Sequence, residues 1–189
     1  MALFYAAGQI ESFVDSSDPM GIFLADGAYY IDIFEEAGDY DFLFEQVHGT
    51  RPTVVQGSVY ETFSAGYAAA YDGESPSVAA YTAYAYDAAW LTLIGSAWAM
   101  YQEDEFNGDG LARGLRRVSN GQPLTIKPSS WAVIKANFYA GDSIDVTGAS
   151  GSLDFDPVTG ETSSTIEVWG VQNNGDGTYE FVTTALIEP

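Results

Sequence analysis

The sequence predicts an α/β protein that finishes in a β hairpin. Short apolar runs typical of buried strands alternate with segments whose apolar residues recur at helical spacing. This alternation of strands and helices is typical of a parallel sheet covered by helices. Near the C-terminus, the β-rich runs 164–171 and 178–186 flank the turn cluster "QNNGDG", which favours a hairpin. The chain has 189 residues, 47% of them hydrophobic, so it can bury the core of one domain or slightly more.

Two strand-and-helix pairs are predicted at the start of the chain. Residues 2–7, "ALFYAA", predict a buried strand, and 8–17 predict a short helix that ends at "DPMG". Residues 22–25, "IFLA", predict a second strand, and 29–40 predict a helix. The remaining predicted elements are a strand within 41–55, a helix over 58–73 and a long buried helix over 77–101. A shorter helix begins at residue 108 and is stopped by "NGQP" at 120–123. The last predicted helix covers 129–141, begins at a serine cap, Ser129 or Ser130, and ends at Gly141.

The charge balance excludes several classes of partner. Six basic residues against 27 acidic ones give a formal charge of −21, which repels nucleic acids and anionic lipid surfaces. This acid excess fits a high-salt habitat or an exported location, and composition does not separate the two. Residues 77–101 carry one charge, Asp87, so a buried helix fits them better than a membrane span. The first residues lack a basic segment and a cleavage site, and they do not predict a signal peptide.

The composition also limits catalysis and metal binding. The chain has no cysteine and one histidine, His48, so disulfides, thiolate metal sites and multi-histidine sites are excluded. No nucleophile elbow, phosphate-binding loop or dinucleotide fingerprint is present. We therefore predict that the protein is not an enzyme and uses neither a cofactor nor a metal. A hydrolase with paired carboxylates stays a lesser alternative, because the separation of such a pair in space cannot be read from sequence.

Three loops partly match patterns that are typical of ion-binding sites, but none of the three matches is complete. An EF-hand pattern begins at Glu105 and fails at its twelfth place, where Arg116 replaces the bidentate glutamate. The acidic run "DFDP" with Glu161 offers carboxylates that we expect to be solvated. The run "GASG" at 148–151 looks like an anion-binding loop, yet no helix N-terminus follows it.

Asp26 is the strongest candidate for ligand binding. It directly follows the predicted strand 22–25, and open α/β folds place their ligands at the carboxyl edge of the sheet. A carboxylate there can hold an ammonium group by charge-assisted hydrogen bonds, with Tyr29 and Tyr30 packing on the ligand. The alternative is a turn or a cap, because Asp-Gly is favoured at strand ends for backbone reasons alone.

Several segments together resemble the later half of type I periplasmic binding proteins, in particular the branched-chain amino-acid binding component of ABC transporters. These segments are "IFLADGA", "GTRPT", "YAYDAAWL", "GLRRVSNGQ", "FYAGDSIDVTGASGSLDFD" and "STIEVWGV". The resemblance covers nearly the whole chain. It implies a partial form of the family's fold, a two-lobe, three-layer α/β sandwich whose lobes are joined by three crossovers and close on a ligand.

The resemblance implies a division of the chain into lobes. Residues 2–50 would be the end of lobe two, 52–156 the later part of lobe one, and 163–189 the return to lobe two. The early part of lobe one, which in the family holds the ligand carboxylate, has no counterpart. The hinge positions at the crossings would be Arg51, Pro52, Asp154 and Asp156.

The resemblance also implies a function. The family's acidic anchor for the ligand ammonium falls on Asp26, while its aromatic contact falls near Gly8 or Gln9, which are not aromatic. We expect a solute-binding protein of an amino-acid ABC uptake system, with a small-molecule ligand such as an amino acid, an ABC permease as partner of the full-length protein, and a periplasmic or otherwise exported location. The alternative is a structural or interaction protein that self-associates or pairs with a missing half, which unpaired sheet edges would favour.

Overall fold

The computed structural model describes residues 2–14, 17, 20–53, 56–79, 81–104 and 106–188, and within them the chain is a mixed α/β protein, as the sequence predicts. The helices are α1 (Ala2–Ala7), α2 (Glu11–Val14), α3 (Ile33–Glu36), α4 (Ser58–Ala70), α5 (Thr82–Gln102), α6 (Gly108–Leu115) and α7 (Trp131–Ala140). The strands are β1 (Ile22–Leu24), β2 (Val47–Pro52), β3 (Gln122–Thr125), β4 (Ile144–Thr147), β5 (Ile166–Asn173) and β6 (Tyr179–Ile187). Short 3-10 helices cover Asp26–Ala28, Gly38–Gln46, Pro76–Val78 and Pro128–Ser130.

Contacts between residues divide the chain into two compact units. Unit 1 comprises Met1–Thr53, Val78–Ala80 and Ser164–Pro189, and unit 2 comprises Val54–Ser77 and Tyr81–Ser163. The chain therefore leaves unit 1 after Thr53, contributes the short segment Val78–Ala80 to it, and returns to it for the last time at Ser164. The assignment of lobes that rests on the family resemblance stays a prediction.

Unit 1 is built on a four-stranded sheet with the strand order β1-β2-β5-β6. β1 runs parallel to β2, and β2 runs antiparallel to β5, so that Gly49 lies beside Leu24 on one side and beside Trp169 on the other. β5 and β6 form the predicted hairpin, whose turn contains Gly175 and Gly177 at positive φ. A positive φ strains most side chains, so these glycines let the chain reverse between the strands.

The core of unit 1 contains large apolar side chains. Leu43, Phe44, Val47 and Trp169 are fully buried, and burying one such aliphatic or phenyl side chain contributes about 1.5–3 kcal/mol. Gly49 lies against the Trp169 ring, and a Cβ at position 49 would collide with that ring. The indole ring thus requires a residue without a side chain on the neighbouring strand.

The strand predicted at residues 2–7 is wrong, because these residues form α1. Phe4 and Ala7, one helical turn apart, are buried, while Leu3 and Tyr5 are exposed. Because every residue of this run is apolar or aromatic, the sequence shows no alternation of apolar and polar positions. Periodicity therefore does not distinguish a short strand from a short helix here.

The strand predicted within 41–55 is correct in its middle and wrong at its start. Residues up to Gln46 form a 3-10 helix that buries Leu43 and Phe44, and β2 begins at Val47. Positions 54 and 55 lie outside the described residues. The helices predicted at 8–17 and 29–40 are confirmed only in part, because they are shortened to the single turns α2 and α3. Positions 15, 16, 18 and 19 also lie outside the described residues.

Unit 2 packs four helices against a parallel pair of strands. α4, α5, α6 and α7 confirm the four helices predicted in this part of the chain, and β3 pairs with β4. The buried core includes Ile94, Ile134, Phe138, Ile144 and Val146. None of the described helices is both long enough and apolar enough to cross a lipid bilayer.

Two details of unit 2 differ from the sequence-based expectation. β3 was not predicted, because "NGQP" was interpreted only as the stop of the preceding helix, but proline is tolerated on a strand at the edge of a sheet. Ser130 stands at the N-cap position of α7, as predicted, but its side chain makes no capping hydrogen bond, because its hydroxyl donates to the Thr125 carbonyl at 2.7 Å. The predicted end of α7 at Gly141 is confirmed, with the left-handed φ of 83° that glycine favours.

Glu103, directly after α5, ties this helix to α6. Its carboxylate accepts hydrogen bonds from Trp98 Nε1 at 3.0 Å and from Arg113 Nε at 2.8 Å. The Trp98 bond, and then Arg113, lower the pKa of Glu103 below its ordinary value of 4.5. A carboxylate with a lowered pKa in the folded state adds stability above its unfolded pKa and loses that contribution as the pH falls through the folded value.

Replacing Glu103 with glutamine should therefore lower the free energy of unfolding at neutral pH. We expect the deficit relative to wild type to shrink as the pH falls below 4.5, because the Glu103 carboxylate is then protonated first in the unfolded chain and, at lower pH, in the folded protein as well. Urea titrations at a series of pH values measure this difference. Glu74→Gln, at an exposed position of unit 2, is the matched control, and a Glu103→Gln deficit that stays constant down to acid pH would contradict the prediction.

Candidate functional site

Asp26 lies directly after β1, as the sequence predicts, and begins a 3-10 helix. Its side chain is half-buried, and Oδ1 accepts a hydrogen bond from the backbone N–H of Gly27 at 2.8 Å. Within the described part of the chain, this is the one hydrogen bond that the carboxylate accepts, and no ion pair involves it. Most of the hydrogen-bonding capacity of the Asp26 carboxylate is therefore available to a ligand.

Tyr29 is held inside a stack of side chains. Its ring stacks on Phe181 with centroids 4.1 Å apart and meets Trp169 edge to face at 5.6 Å. The guanidinium carbon of Arg51 lies 3.5 Å from the centroid of the same ring. Burial raises the pKa of the Tyr29 hydroxyl, although the charge of Arg51 opposes this. Tyr29 thus supports the site through packing, because its described ring contacts are to two aromatic side chains and one guanidinium of the protein itself.

Tyr30 has a different environment from Tyr29. It is 49% exposed, and its backbone forms an isolated bridge with Ala79. A hydrogen bond to the Asp32 carboxylate raises the pKa of the Tyr30 hydroxyl. Of the two tyrosines that were predicted to pack on a ligand, Tyr30 therefore has the more accessible ring.

Arg51 and Pro52, predicted as hinge residues, are the last two residues of β2. Arg51 pairs in register with Glu167 on β5, and its Nε donates to Glu167 Oε2 at 2.5 Å. Glu167 is 4% exposed and also accepts a hydrogen bond from the Thr183 hydroxyl at 2.6 Å. A buried carboxylate requires such partners, because an unpaired charge is costly to remove from water.

The Arg51 guanidinium lies at the same sheet edge as Asp26. β1 and β2 are parallel with Leu24 beside Gly49, so Asp26 and Arg51 each lie two residues beyond this pair. In the described residues, Arg51 donates a hydrogen bond through Nε, and the terminal nitrogens have no described acceptor. No ion pair joins Arg51 to Asp26 in the same part of the structure. A cationic and an anionic group with unused hydrogen-bonding capacity therefore share one edge of unit 1.

Sequence reasoning missed Arg51 as a binding candidate and Glu167 as its partner. One signal was present: Glu167 lies two residues before Trp169, and alternation along a strand places both on one face. A carboxylate on a buried, aromatic face requires a cationic partner nearby. The chain has six basic residues, and these are the candidates for the partner of Glu167. The strand pairing that selects Arg51 could not be read from this signal.

Asp154 and Asp156, predicted at the other hinge, lie in a loop of unit 2. Asp154 accepts a hydrogen bond from the Ser152 hydroxyl at 2.5 Å. Asp156 Oδ1 accepts from the backbone N–H groups of Val158 and Thr159, each at 2.7 Å, and these bonds lower the pKa of the Asp156 carboxyl. Both acids thus order their own loop, and their role as hinges stays a prediction.

The run "GASG" binds an anion that belongs to the protein itself. Asp87, on α5, is 2% exposed, and its carboxylate accepts hydrogen bonds from Ala149 N at 2.9 Å and Ser150 N at 2.7 Å. The Ser150 hydroxyl adds a third bond at 2.6 Å. A Cβ on Gly148 would collide with this carboxylate. The loop therefore locks α5 to the segment after β4, and its donors are used by Asp87.

No group of three or more potential metal ligands is found among the described residues. The first position of the rejected EF-hand pattern, Glu105, lies outside them. Arg116, at the twelfth position, donates to the Pro157 carbonyl at 3.1 Å. His48 is exposed on β2 opposite Gly170.

In comparisons with known proteins, no family model matches this chain, and no curated protein matches it. The resemblance to type I periplasmic binding proteins therefore stays a prediction that depends on the quoted segments.

Proposed function

We propose that this protein is a solute-binding module, related to the amino-acid receptors of ABC uptake systems, and that Asp26 holds the ammonium group of its ligand. The observation that carries the proposal is the half-buried Asp26 carboxylate at the carboxyl end of a parallel strand, with one described hydrogen bond, from Gly27. A carboxylate in such a place can accept charge-assisted hydrogen bonds from an ammonium group.

Arg51 supplies the second half of the recognition in this proposal. Its terminal nitrogens can donate to a ligand carboxylate in the planar, two-point geometry that guanidinium favours. Glu167 and Tyr29 hold the guanidinium in place, through the 2.5 Å bond to Nε and through the ring beneath it. A ligand with a positive and a negative end, such as an amino acid, would satisfy both Asp26 and Arg51.

The proposal is one of binding without catalysis. Its biological setting is the one that the family resemblance implies: an exported or periplasmic protein that delivers a small solute to an ABC permease. Exposed Tyr30 would contact the apolar part of the ligand, while Tyr29 would act indirectly by supporting Arg51.

Replacing Asp26 with asparagine should weaken amino-acid binding about 10- to 100-fold, because hydrogen bonds to a charged group contribute about 1.5–3 kcal/mol. Stability should change little, because the described hydrogen bond of Asp26 is local and solvent-exposed. Titration calorimetry against a panel of amino acids measures the affinity. Asp39→Asn removes the same charge from an exposed position of unit 1 and is the control. No heat with any amino acid, or equal affinities in the two variants, would overturn the proposal.

A second candidate function is self-association or pairing with a missing half, and the outer edge of β6 favours it. β6 is a nine-residue strand at the edge of the sheet, and Leu186 and Ile187 are more than half exposed. Such an edge is a template for another strand. The irregularity between Val168 and Trp169, opposite Thr184, interrupts this edge and opposes pairing. Sedimentation velocity separates the two candidates, since a monomer over a wide concentration range contradicts self-association.

A further inference from the structure

A cleft in unit 2 lies between α4 and α5, with Pro128 at its border. Its volume is about 520 Å³, within the range of roughly 300–1,000 Å³ that is typical of small-molecule sites. Four aromatic residues, Phe63, Tyr67, Tyr71 and Tyr86, contribute to its lining. None of the residues that were predicted to bind a ligand lies in this lining.

The aromatic rings of the cleft form a continuous surface. Tyr67 lies on α4 and Tyr71 directly follows this helix, one turn further on, with ring centroids separated by 4.4 Å. Phe63 links α4 to α5, because its centroid lies 4.8 Å from that of Tyr86. Tyr71 is 55% exposed, so much of its ring is open to a ligand. Aromatic surfaces of this kind pack favourably on flat rings.

Gly66 keeps the cleft open. It lies within α4, where glycine is less favourable than alanine, and it belongs to the lining of the cleft. A Cβ built at position 66 would meet no atom within 4 Å. The space directly beside this glycine is therefore open, so a Cβ would fit there without displacing a neighbour.

Charge restricts what the cleft can hold. The lining residues named for the cleft include no charged side chain, so the cleft offers no cation to an anionic ligand. The chain as a whole carries a formal charge of −21, and its field repels anions. An apolar, aromatic cleft in such a field favours a ligand without a negative charge.

We propose that this cleft binds a flat, apolar, aromatic small molecule that carries no negative charge. The site is in unit 2 and is independent of the ammonium site proposed at Asp26. Binding at either site can therefore be lost without the other.

The probe for this proposal is N-phenyl-1-naphthylamine, an uncharged dye whose fluorescence rises in apolar surroundings. The wild-type protein should give a saturable rise in fluorescence. Gly66→Leu should weaken dye binding about tenfold or more, because leucine fills the cleft. Ala69→Leu places the same side chain at an exposed position of α4 outside the cleft and should bind as wild type does. Equal dye binding by the two leucine variants would overturn the proposal.

Two further measurements complete the test. Circular dichroism should show that Gly66→Leu keeps its helices, and Tyr71→Ser, which removes a ring at the exposed mouth, should weaken dye binding as an independent variant. The sulfonated analogue of the dye, 8-anilino-1-naphthalenesulfonate, should bind more weakly than the uncharged dye, with a difference that narrows as salt screens the charge. Equal affinity for both dyes at low salt would contradict the charge selection.

Discussion

Replacing Asp87 with alanine is expected to destabilise unit 2 by roughly 2–6 kcal/mol, because two buried backbone N–H groups each lose their acceptor at a cost of about 1–3 kcal/mol. The variant leaves the backbone N–H groups of Ala149 and Ser150 without their acceptor and leaves a void beside α5. Typical folded proteins are stable by about 5–15 kcal/mol, so this loss is a large fraction of the total. Urea denaturation followed by tryptophan fluorescence measures it, because Trp90, Trp98 and Trp131 all lie in unit 2.

The controls for Asp87 separate shape from charge. Asp87→Asn keeps the size of the side chain and one carbonyl oxygen, but its amide N–H₂ group would face one of the N–H donors of the loop. We therefore expect a loss of stability between zero and that of Asp87→Ala. Asp142→Ala removes an acid at an exposed position of unit 2 and should unfold close to wild type. Equal urea midpoints for Asp87→Ala and Asp142→Ala would show that the loop does not depend on this carboxylate.

Replacing Glu167 with alanine is expected to destabilise unit 1 by roughly 3 kcal/mol, at the low end of the range for a broken buried pair. The loss is at the low end because the Arg51 side chain is 21% exposed and water compensates part of its charge. The Thr183 hydroxyl also loses its acceptor. Hydrogen exchange measured on peptides of β2, β5 and β6 should show loss of protection, while peptides of α5 should not change.

Two variants test the origin of the Glu167 effect. Glu167→Gln keeps an acceptor for Thr183 and should cost less than alanine. Glu180→Ala removes an exposed acid of β6 and should leave the exchange of unit 1 unchanged. Faster exchange in α5 peptides of Glu167→Ala would contradict the assignment of this ion pair to unit 1.

The elements that the sequence predicts best are those with long or repeated signals. The helix α5 has many turns of apolar residues, and the hairpin β5–β6 has a glycine turn between two β-rich runs. Residues 2–7 were assigned wrongly and β3 was missed, because each element is short and a few residues do not define a period. Their conformation depends on what they pack against, and that information lies elsewhere in the chain.

The candidate site shows the same limit. The position of Asp26 after β1 follows from local sequence, since an apolar run ends there. The environment of Tyr29 does not follow from local sequence. Its ring contacts Arg51 on β2 and Phe181 on β6, and both strands are distant from Tyr29 in the sequence. The "GASG" run was correctly seen as suited to an anion, but the identity of that anion, Asp87, depends on a contact across 62 positions.

The sheet of unit 1 also has a consequence for synthesis on the ribosome. β2 emerges early, but its antiparallel partner β5 comes much later, and Arg51 is 116 positions from Glu167. The residues of unit 2 emerge in the interval and can fold as a unit before β5 exists. Until then one edge of β2 has no partner, and an open strand edge promotes pairing with other chains. A nascent chain is therefore most in need of a chaperone while unit 2 is being made.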